Sequence, residues 1–365
     1  MTALPQFSHL RHQIHQYTRT DAEQALNASR PGIHELAALL SPAAEHYLGE
    51  MAARSRQLTL QRFGRTTQLY APLYLSNYCT NRCVYCGFSA DNTIERRVLS
   101  LEEAEQEAEV LHSRGFSHIL LVAGEADAIV GVSYLEDIAR RLRHRFAAVS
   151  IEVQPLEEEQ YRRLFTAGIT GVAVYQETYD ETLYDSLHPS GKKRDFHYRF
   201  DTPRRAGAAG MREVGIGALL GLSDWRAEGL SLGHHLLLLR NQFWQTAFTV
   251  SFPRLRPAAG AFSPLEEVTE KNISQLIFAL RIFDADVGLI LSTREEPHFR
   301  DGMLGLGPTR YSAGSCTAPG GYSNPDGNGE QFSVGDHRSL SDMASVIRDK
   351  GLDPVYKDWD STFQH

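Results

Sequence analysis

The chain is 365 residues long and 42% hydrophobic, enough to bury a sizeable core in one large domain with extensions. A formal charge of −8 argues against a dedicated nucleic-acid surface, which depends on clustered Lys and Arg. The longest apolar runs, such as residues 236–239, fall far short of a membrane span, and the N-terminal stretch lacks the apolar core of a secretory signal, so the expected location is the cytoplasm.

Residues 1–66 read as a polar lead-in of helices, with Leu36, Leu39, Leu40, Leu48 and Met51 at helical intervals. From there a unit recurs: a short apolar run, a loop, an amphipathic helix, a glycine and the next apolar run. The clearest copy starts at Ser100, an N-cap with Glu103 as its capping-box partner. Leu101, Ala104, Ala108 and Leu111 share one face, and Gly115 stops the helix. Gly168 and Gly210 end later copies. Eight apolar runs follow one another, at 70–75, 118–123, 149–154, 171–176, 212–219, 246–252, 287–292 and 309–313. Strands that alternate with helices pair in parallel, and eight such units close a (β/α)8 TIM-type barrel spanning residues 67–315. An open doubly wound sheet is the competitor, but no dinucleotide fingerprint follows the first strand. Residues 316–365 form a glycine- and asparagine-rich C-terminal extension with one last helix, expected to pack on the barrel. The acidic loop around Asp326 lacks the ligand spacing of a calcium loop and reads as solvated surface.

The loop after the first strand, "CTNRCVYCGFS" at residues 79–89, holds Cys79, Cys83 and Cys86 in a C-x3-C-x2-C array. In a long cytosolic chain such thiols point to metal rather than disulfides. A closed zinc site needs four ligands, and the only other cysteine, Cys316, lies far along the chain. Three thiolates on one short loop suit a four-iron cube, each sulfur taking a separate corner and one iron remaining open. Three thiols completed around zinc by a His or Cys316, in a non-catalytic scaffold, is the alternative from another class.

This array resembles that of the radical S-adenosylmethionine enzymes. The resemblance implies a [4Fe-4S] cluster on Cys79, Cys83 and Cys86, whose open iron chelates S-adenosylmethionine and whose electron releases a 5′-deoxyadenosyl radical. Further stretches extend it. Tyr85 matches the family aromatic beside adenine. In "LLVAGEA", Gly124 and Glu125 match the Gly-Gly-Glu element that receives the cofactor's amino group, with Ala123 in place of the first glycine. Glu177, ending "VAVYQE", falls where a biotin-synthase-like branch holds the ribose hydroxyls; read alone, it also serves as a helix cap. Arg199 in "YRFDT" matches a ligand of the cofactor carboxylate, and a surface ion pair is its plainer reading. Gly217 and Leu219, with Gly221, resemble the glycine-rich strand that backs adenine.

Downstream, Arg254 and Arg256 follow the sixth apolar run, and Ser292 and Arg294 close the seventh. An arginine directly after a barrel strand reaches the mouth, where a guanidinium suits a carboxylate; ion pairing at the rim is the alternative. The order and spacing of "ALNASR", "LLSPAAEHYL", "PLYLSNYCTNRCVYCGFS", "EVQPL", "VYQETY", "GALLGLSDWR", "VSFPRLRP", "LSTRE", "PGGYS" and "KDWD" resemble the 2-iminoacetate synthases. That resemblance spans residues 23–360 and implies a lyase that splits the Cα–Cβ bond of tyrosine into 2-iminoacetate and p-cresol for thiamine biosynthesis. Ser292 and Arg294 would hold the substrate carboxylate, with Arg254 as companion. The implied partners are thiazole synthase and a flavodoxin- or ferredoxin-type reductant. Tryptophan-lyase relatives share the carboxylate anchor, and ring-pocket residues cannot be picked from one sequence. The hydrogenase-maturation tyrosine lyase carries a second cluster on a C-terminal cysteine motif; only Cys316 stands there in this chain.

Overall fold

A computed structural model of the protein describes residues 4–260, 262–324 and 329–357. Asp326 and the end of the "KDWD" stretch lie outside the described residues. Strands β1 (Thr66–Ser76), β2 (His118–Ala123), β3 (Ala148–Glu152), β4 (Gly171–Ala173), β5 (Glu213–Gly217), β6 (Ala247–Ser251), β7 (Gly288–Leu291) and β8 (Arg310–Ser312) pair in parallel in sequence order. β1 pairs with both β2 and β8, so the sheet closes into the (β/α)8 barrel. Each strand falls on one of the eight expected runs. The helices between them start and stop as their caps dictate. Ser100 and Glu103 form the reciprocal capping box of the helix Leu101–Ser113, and Gly115 follows at φ 99° and Gly168 at φ 121°, backbone states that glycine adopts without steric cost.

Two strands depart from expectation. β1 starts four residues before the expected 70, because a ninth strand, β9 (Asp353–Val355), pairs with Thr66–Gln68. Such a three-residue strand carries no readable period, and Pro354 is tolerated only at a sheet margin. β4 is shorter than the run at 171–176. Its pairing with β5 continues through hydrogen bonds from Val174 N to Gly215 O and from Gln176 N to Gly217 O. The chain then turns at Glu177, whose φ of 73° is the one positive value outside glycine among the described residues.

The N-terminal helices Ile33–Leu40 and Leu48–Phe63 pack on the barrel's outer helices Trp225–Gln242 and Glu270–Phe283. Gln275 Nε2 donates to the carbonyls of Leu39 and Ser41, each at 2.9 Å. One hydrophobic cluster runs from Leu36 and Met51 through the barrel to Met343 and Ile347 of the helix Leu340–Asp349. Inside the barrel, toward the strands' N-terminal ends, Arg310 makes a bidentate pair with Glu213 at 2.5 and 2.7 Å. The cavity therefore opens toward the C-terminal ends of the strands, where barrel chemistry sits. Among the described residues no helix is long and apolar enough to cross a membrane.

Candidate functional site

The cysteine loop leaves β1 and is held almost entirely through its own backbone. Thr80 N bonds to Glu125 O (3.0 Å), Arg82 N to Ser190 O (3.2 Å), Val84 N to Leu187 O (3.2 Å) and Ala90 N to Asn81 O (2.8 Å). Arg96 closes it: the guanidinium donates to the carbonyls of Asn77, Phe88, Ser89 and Asn92 at 2.6–3.1 Å. Asn92 Nδ2 in turn reaches the carbonyls of Cys86 and Gly87, both at 3.0 Å. A loop whose carbonyls are engaged in this way presents its side chains rather than its backbone. Gly124 serves the same end, since a Cβ there would lie 2.2 Å from Tyr78 O and 3.2 Å from Cys79 Cβ. The glycine is demanded by the approach of the loop to the end of β2.

Glu125, Glu177 and Arg199 come together as expected, joined by Lys193, which the sequence did not single out. Arg199 Nη1 bonds to Glu125 Oε1 at 2.7 Å, and its Nη2 lies 3.6 Å from Glu177 Oε1. Lys193 Nζ sits 2.5 Å from Glu177 Oε1. Asn81, buried, ties the group to the cysteine loop by donating to Glu125 Oε2 at 2.8 Å and accepting from Lys193 N at 3.0 Å. Burial by itself would raise the Glu177 carboxyl; Lys193 and then Arg199 overcome it and hold the group below its usual value. The quartet sets two acids against two bases and is internally neutral. Tyr85 packs beside it, its hydroxyl 2.7 Å from Nε2 of buried His188, whose pKa burial and then Lys193 push down to about 2. Leu219 N bonds to Glu177 O at 2.8 Å, bringing the β5 extension alongside. At Gly217 a Cβ would meet Ser251 O at 2.5 Å and the Tyr175 ring at 2.6 Å, so local packing already accounts for that glycine.

Several of these residues border a cavity of about 120 Å³, open at the mouth, lined by Tyr85, Cys86, Glu177, Lys193 and Leu219 and also by Ser292 and Arg294. Arg294 makes no ion pair among the described residues. Its guanidinium stacks 3.3 Å from the Phe332 ring centroid, and burial lowers its pKa. A cation that lines a cavity and makes no ion pair is a ready receptor for a carboxylate. Arg254 is not brought to this cavity. Its Nε lies 3.0 Å from both oxygens of buried Glu295, and Nη1 bonds to Val268 O at 2.9 Å, while Arg256 takes the lining position instead.

The donor set fits an iron–sulfur cube. Burial raises the Cys79 and Cys83 thiols, and neighbouring thiols and Glu125 raise them further, so three thiolates here require a strongly cationic partner. A cube takes each of three such sulfurs at a separate iron. Cys316 is engaged elsewhere: its thiol donates to Ala318 O at 3.7 Å and packs against Gly321. Three contributors escaped the sequence reading: Lys193, Arg96 and Glu152. Lys193 sits in a single 3-10 turn and Arg96 in coil, with no period to betray them, and Glu152, at the end of β3, looks like any acid that closes a strand. The offset of Lys193 from Glu177 across one short helix was the only hint.

Comparison with known proteins agrees with this geometry. Residues 73–230 match the radical SAM superfamily, and residues 251–353 match the biotin and thiamin synthesis associated domain. The chain is 46% identical over 353 residues to the 2-iminoacetate synthases of Salmonella typhimurium and Escherichia coli, covering 96% of this chain and 94% of each relative. Its fold superimposes on the crystal structure of HydG, a maturase of the [FeFe]-hydrogenase, with a TM-score of 0.90 at 32% identity, over 96% of this chain and 80% of that one. With its radical SAM match and near full-length similarity to these synthases, the chain belongs to the 2-iminoacetate synthase family of radical S-adenosylmethionine enzymes.

Proposed function

We propose that the protein cleaves the Cα–Cβ bond of L-tyrosine, giving 2-iminoacetate and p-cresol for the thiazole of thiamine. The single observation that carries this reading, beside the kinship, is one cavity lined both by Cys86 and by the carboxylate-free guanidinium of Arg294. Cys79, Cys83 and Cys86 would hold the [4Fe-4S] cluster, and Glu125, Glu177, Lys193 and Arg199 offer charges for the amino, carboxylate and ribose groups of S-adenosylmethionine. When bound, that pair supplies a carbon-centred radical able to remove a hydrogen atom from the substrate. The protein's own part is placement. Arg294 grips the tyrosine carboxylate with Ser292 beside it, and the amino nitrogen is thereby fixed, since an error of about 1 Å costs on the order of a hundredfold in rate. Tyr70, Leu120, Val122 and Tyr175 give the cavity walls in which an aromatic ring is shielded from water. Because the imine product hydrolyses readily, direct hand-over to thiazole synthase follows, with a flavodoxin- or ferredoxin-type protein as reductant.

The test is anaerobic reconstitution followed by incubation with reductant, S-adenosylmethionine and either tyrosine or tryptophan. p-Cresol and glyoxylate from tyrosine are expected. An indole product from tryptophan with none from tyrosine would reject the assignment.

A further inference from the structure

Glu152 is the last residue of β3, in register with Val122 of β2, and both side chains line the cavity. β3 and β7 stand four places apart in the closed order of eight, hence diametrically opposed. Glu152 thus enters the mouth from the wall facing Ser292 and Arg294. Among the described residues Glu152 makes no hydrogen bond or ion pair through its carboxyl, and Arg294 makes no ion pair. An unpaired anion and an unpaired cation face each other across one cavity without touching. Bringing isolated charges into a pocket is unfavourable unless a ligand completes them. A ligand carrying a carboxylate and an ammonium on one carbon, as an α-amino acid does, completes both.

Resting on the tyrosine reading above, we infer that Glu152 binds the substrate's α-ammonium and takes a proton from it, so that the nitrogen presented for reaction is a neutral amine. In this step one N–H bond breaks and its electron pair stays on nitrogen. One O–H bond forms on a Glu152 carboxylate oxygen, and the pair changes from ammonium–carboxylate to amine–carboxylic acid. No oxidant or further reactant is needed. The groups that face Glu152 are Glu177 from the end of β4, Lys193 and Arg199 from the segment after it, Arg294 from β7, Tyr70 and Tyr74 from β1, and Tyr175. Burial and then Glu177 push its carboxyl up to about 7, against Arg294 and the two more distant bases. A base of that strength suits a transfer at neutral pH.

The experiment compares wild type, Glu152→Gln and Glu152→Asp as reconstituted holoenzymes, matched first for iron content. Calorimetry gives the affinities for tyrosine, for 3-(4-hydroxyphenyl)propionate, which lacks the amino group, and for phenylalanine, which lacks the phenol. Glu152→Gln is expected to weaken tyrosine and phenylalanine at least tenfold and to leave the desamino acid within twofold. Glu152→Asp should retain part of the preference for the amino acids. Equal weakening of all three ligands would overturn the inference, as would a loss that follows the phenol instead. Should Glu152→Gln fail to assemble, the aspartate variant decides, and an unaltered preference for the amino acids over the desamino acid as the pH falls from 8 to 6 in wild type also overturns it. Wild-type enzyme that makes no p-cresol sinks the tyrosine reading; wild type that makes it, with affinities in Glu152→Gln unchanged, sinks Glu152 alone.

Discussion

Replacing Lys193 with methionine probes the buried quartet most directly. The lysine and Glu177 are only 11% and 13% exposed and 2.5 Å apart, so the substitution strands a carboxylate in a place where burial dominates. Removing one partner of a buried pair costs about 3–5 kcal/mol. Arg199, 3.6 Å from the same oxygen, remains as a partial counter-ion and brings the expectation to about 2–3 kcal/mol. The sign with pH follows from linkage. In wild type the Glu177 pKa is depressed, so its contribution is present above the ordinary carboxylate value and lost only as pH falls through the folded value. In Lys193→Met burial raises that pKa instead, and the penalty grows as pH rises above the ordinary value. Urea unfolding of the cluster-loaded protein without S-adenosylmethionine should therefore show a deficit that is full at pH 8 and shrinks as the pH falls below the ordinary carboxylate value. Lys193→Met/Glu177→Gln should recover most of it and show no such slope. A deficit independent of pH, or a double variant no better than the single one, would refute the reasoning.

Three further outcomes follow from the same geometry. Gly124→Ala places a methyl 2.2 Å from the Tyr78 carbonyl, so it should displace Cys79 and lower iron incorporation on reconstitution, read by iron and sulfide analysis. Arg294→Lys keeps the charge but loses the planar fork and the stack on Phe332, and tyrosine affinity should fall at least tenfold by calorimetry while iron content is unchanged. Glu152→Gln should stabilise the ligand-free fold at pH 8 by up to about 3 kcal/mol, because a raised carboxyl favours the fold below its unfolded value and loses that contribution as pH climbs to about 7. The advantage should vanish near pH 4 in urea titrations.

The barrel was legible because each of its layers leaves a local trace. Apolar runs of five to eight residues mark the strands, and capping boxes such as Ser100 with Glu103 mark where some of the helices begin. The cysteine loop was legible because core packing never asks for three thiols within eight residues, whereas a cluster does. What stayed hidden was charge pairing across distant segments. Arg254 and Arg294 occupy similar positions after neighbouring strands, yet one is taken by Glu295 and the other is left for a ligand, and only the packed structure separates them. Lys193 acts from a single 3-10 turn and Arg96 from coil, where neither periodicity nor spacing reports what a side chain will reach.

The wall of the cavity opposite the cofactor charges shows how closely the two halves of the site depend on each other. The segment after β8, which reads in sequence as glycine-rich loop, supplies Ser315, Thr317, Gln331 and Phe332 to the cavity lining. It is pinned where the "PGGYS" stretch meets the barrel: Glu107 accepts from Tyr322 N and Ser323 N at 2.9 and 2.8 Å, and the Tyr322 hydroxyl donates to Pro72 O at 2.6 Å. From there Gln331 accepts from the Tyr74 hydroxyl at 2.7 Å and lies 3.8 Å from the Cys86 sulfur, while the next residue, Phe332, carries Arg294. Two adjacent residues therefore touch the Cys86 thiol and the Arg294 guanidinium. Gly87 permits this contact, for a Cβ there would lie 2.3 Å from the Gln331 carbonyl. Gly87→Ala must push the segment away, and tyrosine affinity should drop several-fold although no residue of the anchor has changed. Gly302→Ala, where a Cβ meets open space, serves as the control and should bind tyrosine as wild type does. Calorimetry on holoenzymes of matched iron content checks both, and wild-type affinity in Gly87→Ala would show that the anchor is set without this wall.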